Sequence, residues 1–469
     1  MKNKLAILFS FMFFANLIAQ ESQISLSLQE AIDFAIENNR NAKNAALDIE
    51  AAKRQKMETT AIGLPQINAN IDYQNWLKQP VSLFPAASFD NTQSIINTVE
   101  DYFNLSPNGT PPSIDGFVPV TFGTKQTINA TATLTQLIFD GSYLVGLQSA
   151  KVFLEISKNA KEKTDLEIRK NTINAYGNVL LAEKSISIFE SNITVLKKNL
   201  FETEQTYKNG LTELENVEQL QITLKQLQSN YKNALRLDKI AKKMFNITIG
   251  EDINANTVLT ENLENLAEKN IDLALLNSDD NVENTLDYKI ALNDKQSKEL
   301  LLKLEKTKNL PSVSAFINGG YAGNNDEFKF LNNEQQWFGS SLVGVNVSVP
   351  IFSSLKRHSA TQRAKVNLEK AENDLEETEQ LLKFEVATAK SNYQFAIELY
   401  QTAKENIELA ERIEIKNQTK YFEGIATSFD LRQAQQQLYR SQQELLQSML
   451  DVITNKAALE TTLNKISNQ

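Results

Sequence analysis

The sequence has no cysteine at any of its 469 positions and a single histidine. The absence of cysteine excludes disulfides, thiol nucleophiles, Cys-ligated metal sites and an N-terminal acylated cysteine. The histidine, His358, lies in the stretch SSLKRHSATQR without a carboxylate or second histidine at a ligand spacing, which indicates solvated helix surface. No nucleophile–base pair or metal set is present, so we predict no cofactor and no enzymatic activity.

An excess of basic residues is also missing. The chain has 48 Lys and Arg against 58 Asp and Glu, a formal net charge of -10. Nucleic-acid binding requires a basic stripe that replaces phosphate counterions, so a nucleic-acid partner is excluded. Proline and glycine are scarce as well, with 9 and 15 residues, and 23% of the residues are charged. This composition is typical of an ordered, helix-rich chain.

Only one long hydrophobic run occurs, and it lies at the N-terminus. A basic start, MKNK, precedes the apolar stretch LAILFSFMFFANLIA, and Ala19 is a small residue before a cleavage point. Residues 1–19 are therefore predicted to be a signal peptide for export. A membrane anchor would need about 20 apolar residues, and polar residues follow this run too soon. Because no second run approaches that length, the exported protein is expected to be soluble, peripheral or a β-barrel.

An internal repeat with an offset of 214 residues organises the rest of the chain. Apolar residues alternate four and three positions apart over 168–207, and the same register recurs over 382–421. Such a seven-residue repeat predicts long supercoiled helices. We call this repeating apolar stripe the seam. Further apolar residues lie outside the seam and predict that each helix contacts neighbours on two sides, as in a wall or cylinder of helices. We predict one antiparallel helical hairpin at 140–245 and a second, with the C-terminus, at 351–469.

Each copy also contains two stretches in which apolar and polar residues alternate. They lie at 64–76 and 126–139 in the first copy, and at 310–322 and 337–350 in the second. Transmembrane β-barrel strands have this pattern, although a soluble sheet with one buried face shows it too. The helices use their apolar residues on one another, which favours the barrel. Aromatic residues at the strand ends fit an interfacial girdle; they are Tyr73, Trp76, Trp337 and Phe338.

Four strands cannot close a barrel in lipid, where every edge amide must be paired and the smallest barrels have eight strands. The chain is therefore expected to oligomerise. Two copies would give eight strands with a filled interior, and three would give twelve strands and a lumen. The predicted fold class is mainly α with β, with a helical barrel joined to four transmembrane strands per chain.

The remaining segments are assigned by their position between these elements. Residues 20–63 are predicted to form N-terminal periplasmic helices, and 246–309 an equatorial segment and helix. Residues 77–125 hold six of the nine prolines and are predicted to be a long extracellular loop, irregular or mobile. This loop is either a tolerated insertion or a segment that narrows the outer mouth or meets an external partner.

Both helical seams are interrupted in the same way. YKNGLTELENVEQLQ begins at Tyr207 and YFEGIATSFDLRQAQ begins at Tyr421, and each has glycine three residues after the tyrosine. Glutamines follow nine and eleven residues past each glycine. Gly210 and Gly424 supply the permissive backbone that lets a long helix end. The chain is thus predicted to make the same helix–break–helix turn twice.

These features together resemble the TolC-like outer-membrane efflux protein family. The resemblance is carried by LSLQEAIDFAIENN, by Leu-Pro before the first strand of each copy, by Ile-Phe after the second strand, and by the doubled Tyr-x-x-Gly. It spans nearly the whole chain after the signal peptide. It implies a homotrimer with a twelve-strand barrel in outer-membrane lipid and a periplasmic tunnel. It also implies a membrane-fusion adaptor and an inner-membrane pump of the RND or ABC type as partners.

The resemblance implies a periplasmic gate at the two breaks. The candidate gate and tip residues are Tyr207, Gly210, Asn216, Tyr421, Gly424, Asp430 and Arg432. Well-studied members have Tyr, Arg and Asp around the second break; Tyr421 and Asp430 match this pattern, whereas Ala426 and Gln433 do not. The ion-pair network is therefore not expected intact, and Arg432 is a candidate member from a different helix face. Asp430 either forms a ring of three carboxylates in the trimer or caps the returning helix.

The function implied is an exit duct for small molecules, driven by the inner-membrane pump, through which substrates pass without chemical change. An exit duct for protein in type I secretion has the same architecture and stays an alternative. A periplasmic coiled-coil adaptor is the alternative of a different class. It would have one helical hairpin flanked by compact β domains, whereas this sequence has two hairpins and four amphipathic strands.

Overall fold

Long helices and a four-stranded sheet account for most of the structure, a computed structural model that describes residues 24–106, 115–278 and 281–465. The predicted signal peptide lies outside these ranges. In chain order the strands are β1 (Ile24–Leu26), β2 (Gln66–Asn75), β3 (Val81–Pro85), β4 (Phe117–Thr121), β5 (Gln126–Phe139), β6 (Thr257–Leu259), β7 (Ser312–Asn325) and β8 (Trp337–Ser348). The α-helices are α1 (Leu28–Asn38), α2 (Arg40–Ala61), α3 (Thr92–Phe103), α4 (Gly141–Lys208), α5 (Leu214–Ile249), α6 (Leu263–Lys269), α7 (Leu273–Leu276), α8 (Leu286–Thr307), α9 (Lys356–Phe422) and α10 (Ser428–Leu463).

The predicted fold class, mainly helical with β-strands, is confirmed. Helices α4 and α9 contain 68 and 67 residues, and each is followed after a short break by a helix of 36 residues. At about 1.5 Å of rise per residue, the two longest helices extend on the order of 100 Å. The internal repeat and the closure of a barrel stay predictions.

The chain divides into two units by its contacts. The helical unit lies within Met1–Lys56, Gln148–Lys303 and Ser359–Gln469, and the sheet unit lies within Met57–Leu147 and Leu304–His358. Among the described residues, no helix combines the length and the apolar character needed to cross a membrane.

The sheet unit contains an antiparallel sheet of order β2–β5–β7–β8, so β2 and β8 are its edges. The register aligns the apolar residues of neighbouring strands. Ile67 faces Leu134, Leu134 faces Ile317, and Ile317 faces Val343, so one apolar row crosses all four strands. Most of these side chains are exposed in the single chain; for example, Ile67 is 71% and Val343 is 75% exposed. An exposed apolar face of this kind marks a site of contact with another protein chain or with lipid.

The segment 77–125 was expected to be irregular, and that expectation was wrong for its described part. Strands β3 and β4 pair antiparallel, and α3 lies between them in sequence. The prolines are compatible with this ribbon because Pro85 ends β3 and Pro119 lies in a two-stranded ribbon that has an open side. Phe84 packs against Phe89 and Phe122 with ring centroids 6.1 and 5.3 Å apart.

The helical unit has one large apolar core, to which α1, α4, α5, α6, α9 and α10 all contribute. Two fully buried tyrosines fix the connecting segments to the long helices. The Tyr176 hydroxyl donates to the Leu26 carbonyl (3.1 Å), and the Tyr393 hydroxyl donates to the Asn270 carbonyl (2.6 Å). Burial raises the pKa of each tyrosine to about 12. The segment predicted at 246–309 also contributes β6, which pairs in parallel with β1.

Candidate functional site

The first helix break has a left-handed glycine that ends α4. Gly210 has φ of +73°. Its N–H donates to the Tyr207 carbonyl (2.8 Å), and the N–H of Leu211 donates to the Thr206 carbonyl (3.0 Å). These two bonds form a Schellman motif, which satisfies carbonyls that the helix end leaves free.

The second break repeats this geometry at the end of α9. Gly424 has φ of +75°. Its N–H donates to the Tyr421 carbonyl (3.0 Å), and the N–H of Ile425 donates to the Lys420 carbonyl (2.8 Å). A Cβ atom added at Gly424 or Gly210 would meet nothing within 4 Å. The requirement for glycine is therefore set by the backbone angle and not by crowding.

The two returning helices begin differently. Thr427 caps α10, and the Asp430 carboxylate accepts hydrogen bonds from the Thr427 N–H (2.9 Å) and hydroxyl (2.7 Å), which completes a capping box. These bonds lower the pKa of Asp430, with the side-chain bond from Thr427 as the main cause. Helix α5 starts after Glu213 without a side-chain cap. Asp430 is therefore the second member of the capping box that Thr427 begins. The ring of three Asp430 carboxylates in a trimer stays a prediction.

The two turns contact each other through side-chain hydrogen bonds. Ser428 Oγ donates to Asn216 Oδ1, and Arg432 Nη1 donates to Gln219 Oε1. The Arg432 guanidinium also lies 5.5 Å from the centre of the Phe429 ring, a cation–π distance. Within the described ranges, no ion pair joins one turn to the other. The contact between the turns is therefore made by neutral groups and one arginine.

Above the turns, α4, α9 and α10 share a set of mostly buried polar side chains. We call them the polar layer: Asn199, Thr203, Glu414, Gln418 and Gln435. Gln418 Nε2 donates to Asn199 Oδ1 (2.9 Å), and Thr203 Oγ1 lies 3.3 Å from the Tyr421 hydroxyl. Buried atoms of this layer, Asn199 Nδ2 and Gln435 Oε1, have no partner.

Glu414 is the charged member of the polar layer. It is only 7% exposed, and its carboxylate accepts one long hydrogen bond, 3.5 Å, from Gln435 Nε2. Burial raises the pKa of Glu414, and the Gln435 amide opposes that shift. A buried carboxylate with one weak partner makes the packing above the turns less stable than an apolar layer would be.

The sequence-based candidates lie at or beside the two turns, and their role in a gate stays a prediction. They are Tyr207, Gly210, Asn216, Tyr421, Gly424, Asp430 and Arg432, and the family's ion-pair network was not expected intact. The sequence did not connect Asn216 with Ser428, because their contact depends on how the two turns pack. A signal for the polar layer was present: Glu414 occupies a position of the α9 seam where a heptad usually carries an apolar residue.

The aromatic residues expected to form a girdle lie towards one end of the sheet. Tyr73 on β2 faces Ile128, Ile128 faces Gly323, and Gly323 faces Trp337 on β8, so the two aromatic residues share a row. Tyr73 packs edge-on against Phe328 and Phe330 of the β7–β8 loop, with ring centroids 5.7 and 6.1 Å apart. Phe338 follows on β8 and is 51% exposed, and Trp76, just past β2, is 43% exposed. The girdle itself stays a prediction.

Known proteins share this architecture. Residues 297–465 match the sequence model of the family described as outer membrane efflux protein. The outer membrane protein TolC of Vibrio cholerae serotype O1 is 20% identical over 363 residues, which is 73% of this chain and 78% of the relative. The predicted similarity to the TolC-like family of outer membrane efflux proteins is confirmed by these matches. The matched proteins are outer membrane proteins of an efflux family, which agrees with the predicted outer-membrane location and with the prediction that this TolC-like protein is not an enzyme.

Solved structures agree on the fold of this TolC-like protein. The outer membrane protein VceC of Vibrio cholerae superposes with a TM-score of 0.68 at 15% identity, covering 93% of this chain and 96% of that one. The CmeC outer membrane channel of Campylobacter jejuni superposes with a TM-score of 0.69 at 16% identity, covering 93% and 85%. The similarity thus extends across both the helical and the strand elements.

Proposed function

We propose that this protein is the exit duct of a tripartite efflux system, in which three copies complete one twelve-strand barrel. The observation that carries the proposal is the sheet of the single chain, which has two open edges and one exposed apolar face. An unpaired backbone amide in hydrocarbon costs several kcal/mol. Pairing β8 of one copy with β2 of the next would satisfy both edges, and a cyclic trimer repeats this pairing three times.

The two helix turns would form the periplasmic end of this duct. In the proposed trimer each turn occurs three times, which gives six turns around the tip. The bonds from Ser428 to Asn216 and from Arg432 to Gln219 hold the two turns of one copy together, so breaking them would widen the tip. The gate proposed here is a hydrogen-bonded latch rather than a set of ion pairs.

The partners follow from the duct itself. A passive channel supplies no energy, so an inner-membrane pump must drive transport, and a membrane-fusion adaptor must connect the pump to the turns. The family description, efflux, supports small molecules as cargo rather than secreted protein.

The size of the detergent-extracted particle tests the proposed trimer. We expect a mass of three chains that falls to one chain after heating in detergent. A monomer or dimer would contradict the proposal directly.

Deleting the gene should increase susceptibility to small toxic compounds. Normal susceptibility together with the loss of an exported protein would favour type I secretion instead.

The carboxylate ring can be tested separately from the helix cap. D430N keeps an oxygen that accepts from Thr427 but removes the negative charge. If three Asp430 side chains line the lumen, D430N channels lose cation preference in planar bilayers. An unchanged cation preference would limit Asp430 to the cap.

A further inference from the structure

The connection between β8 and α9, residues 349–355, exposes large apolar side chains with no cover from its own chain. Ile351 is 90% exposed, Phe352 is 83% exposed and Leu355 is 70% exposed. They continue an exposed valine series on β8, in which Val347 is 57% exposed. An apolar surface of this kind indicates contact with a partner or with lipid.

The backbone of the connection is strained where it presents these side chains. Ser354 and Leu355 have φ of +47° and +66°, a left-handed conformation that non-glycine residues rarely adopt. Two contacts hold this shape: Arg357 Nη2 donates to the Pro350 carbonyl (3.1 Å), and the Lys356 N–H donates to the Ser353 carbonyl (2.9 Å). A strained conformation that is fixed by its own contacts indicates a functional constraint.

The charge around the connection has one sign. Residues 335–362 contain no Asp or Glu and two Lys or Arg, Lys356 and Arg357, in a chain whose net charge is -10. Lys356 and Arg357 begin α9, where basic side chains oppose the helix dipole and therefore do not serve helix stability. The equivalent junction between β5 and α4 is different. There Asp140 Oδ1 accepts from the N–H groups of Ser142 (2.6 Å) and Tyr143 (3.1 Å).

From these observations we infer that the β8–α9 connection is a membrane-interface anchor that binds anionic phospholipid headgroups of the periplasmic leaflet. Ile351, Phe352 and Leu355 enter the boundary between headgroups and acyl chains, as apolar residues of interfacial segments do. Lys356 provides a positive charge for the lipid phosphate. This inference rests on the proposed function, because it requires β8 to lie in the outer membrane.

Tryptophan fluorescence tests the position of the connection. The two native tryptophans are removed as W76F/W337F, and F352W or V345W is added to the trimer in phosphatidylglycerol vesicles brominated near the headgroup end of the acyl chains. F352W is expected to show about two-fold weaker fluorescence than in unbrominated vesicles, because interfacial side chains lie about 5–10 Å into the headgroup boundary. Val345 lies on the exposed apolar face of β8, so V345W reports whether the sheet itself is in lipid.

The outcomes of this experiment separate the two proposals. Quenching of both tryptophans supports the anchor. Quenching of V345W alone overturns the anchor and leaves the proposed function intact. Quenching of neither overturns both, because β8 would then lie outside the bilayer.

A second measurement tests the headgroup. The wild-type trimer in detergent should bind phosphatidylglycerol more tightly than phosphatidylcholine, and K356Q should lose about five-fold of that preference, which corresponds to about 1 kcal/mol for a basic residue at the membrane surface. The matched control is K365Q, further along α9, where Lys365 pairs with Glu369 (3.6 Å). Equal binding of both lipids by the wild type, or an equal effect of K365Q, would overturn the headgroup assignment.

Discussion

At the residue scale, the polar layer distinguishes this protein most clearly from an ordinary coiled coil. Glu414 is buried among α9, α10 and their neighbours with one long hydrogen bond. A carboxylate in such a position weakens the packing that it belongs to, since its charged form has lost water without gaining a strong partner. The polar layer therefore stabilises the packing above the turns less than an apolar layer would.

The pH dependence of stability follows from the raised pKa of Glu414. A group whose pKa is higher in the folded state stabilises the fold at low pH, and this contribution is lost as pH rises through the folded-state pKa. We expect the thermal midpoint of the wild-type trimer to fall relative to that of E414Q between pH 5 and pH 8. Thermal unfolding in detergent measures this difference. The control is E405Q on the exposed side of α9, which should keep the wild-type pH profile.

The contact between Arg432 and Gln219 gives a second prediction at this scale. R432A removes a hydrogen bond from a charged donor, which contributes about 1.5–3 kcal/mol to the arrangement in which the two turns are joined. The open probability of single channels should rise, and Q219A should raise it as well. Because both substitutions break one contact, the double variant should open no more than R432A alone. R440A, on an exposed part of α10, serves as the control.

Fully additive effects of R432A and Q219A would contradict a direct latch between these residues. The sequence could not have predicted the pair, because Arg432 does not occupy the position of the family's arginine. Its role depends on the packing of α10 against α5, which brings Gln219 within hydrogen-bonding distance.

At the element scale, the long helices and the four long strands were predictable because each has a sustained period. The heptad seam located α4 and α9, and the alternation located β5 at the bounds observed, Gln126–Phe139. Short elements were not predictable. Strands β1 and β6 contain three residues each and depend on pairing with each other across more than 200 positions. The ordered ribbon of β3 and β4 was missed because proline was taken as a sign of irregular structure.

The glycine at the second turn yields a prediction for the α9–α10 element. G424A introduces a Cβ that meets no other atom but forces a residue other than glycine into φ of +75°, at a cost of about 1–2 kcal/mol. The α9–α10 turn should therefore become more mobile, which hydrogen exchange of the residues around 424 measures.

The matched control for that substitution is G146A within α4. Its Cβ would meet only Thr59 Cγ2 at 3.7 Å, which is an ordinary contact. Replacing a helical glycine by alanine stabilises the helix by about 0.5–1 kcal/mol. An equal change in hydrogen exchange around residue 424 in G424A and around residue 146 in G146A would contradict this explanation. The left-handed backbone would then not be the reason for glycine at 424.

At the scale of the whole molecule, the two faces of the sheet should tolerate charge differently. Val345 and Asn346 are neighbours on β8 and point to opposite faces, as successive residues of a strand do. V345K should destabilise the folded barrel by about 2–4 kcal/mol for a position near the membrane midplane. It should therefore reduce the yield of trimer in the outer membrane. N346K should leave the yield near that of the wild type, because a lysine facing a lumen stays hydrated.

Outer-membrane fractionation followed by gels of unheated samples measures both variants. A loss of trimer in N346K as large as in V345K would contradict the assignment of the two faces. The apolar face was visible in the sequence, whereas the order β2–β5–β7–β8, which determines the edges, required the structure.

The open edges of β2 and β8 also have a consequence for biogenesis. A newly exported copy has unpaired amides along both edges and an apolar face in contact with water, which are the conditions for aggregation. In the proposed trimer these groups are satisfied only when neighbours arrive. Folding of the sheet is then coupled to assembly, so its stability depends on the local concentration of chains. The number of ducts that a cell can build would therefore rise more steeply than the number of chains that it exports.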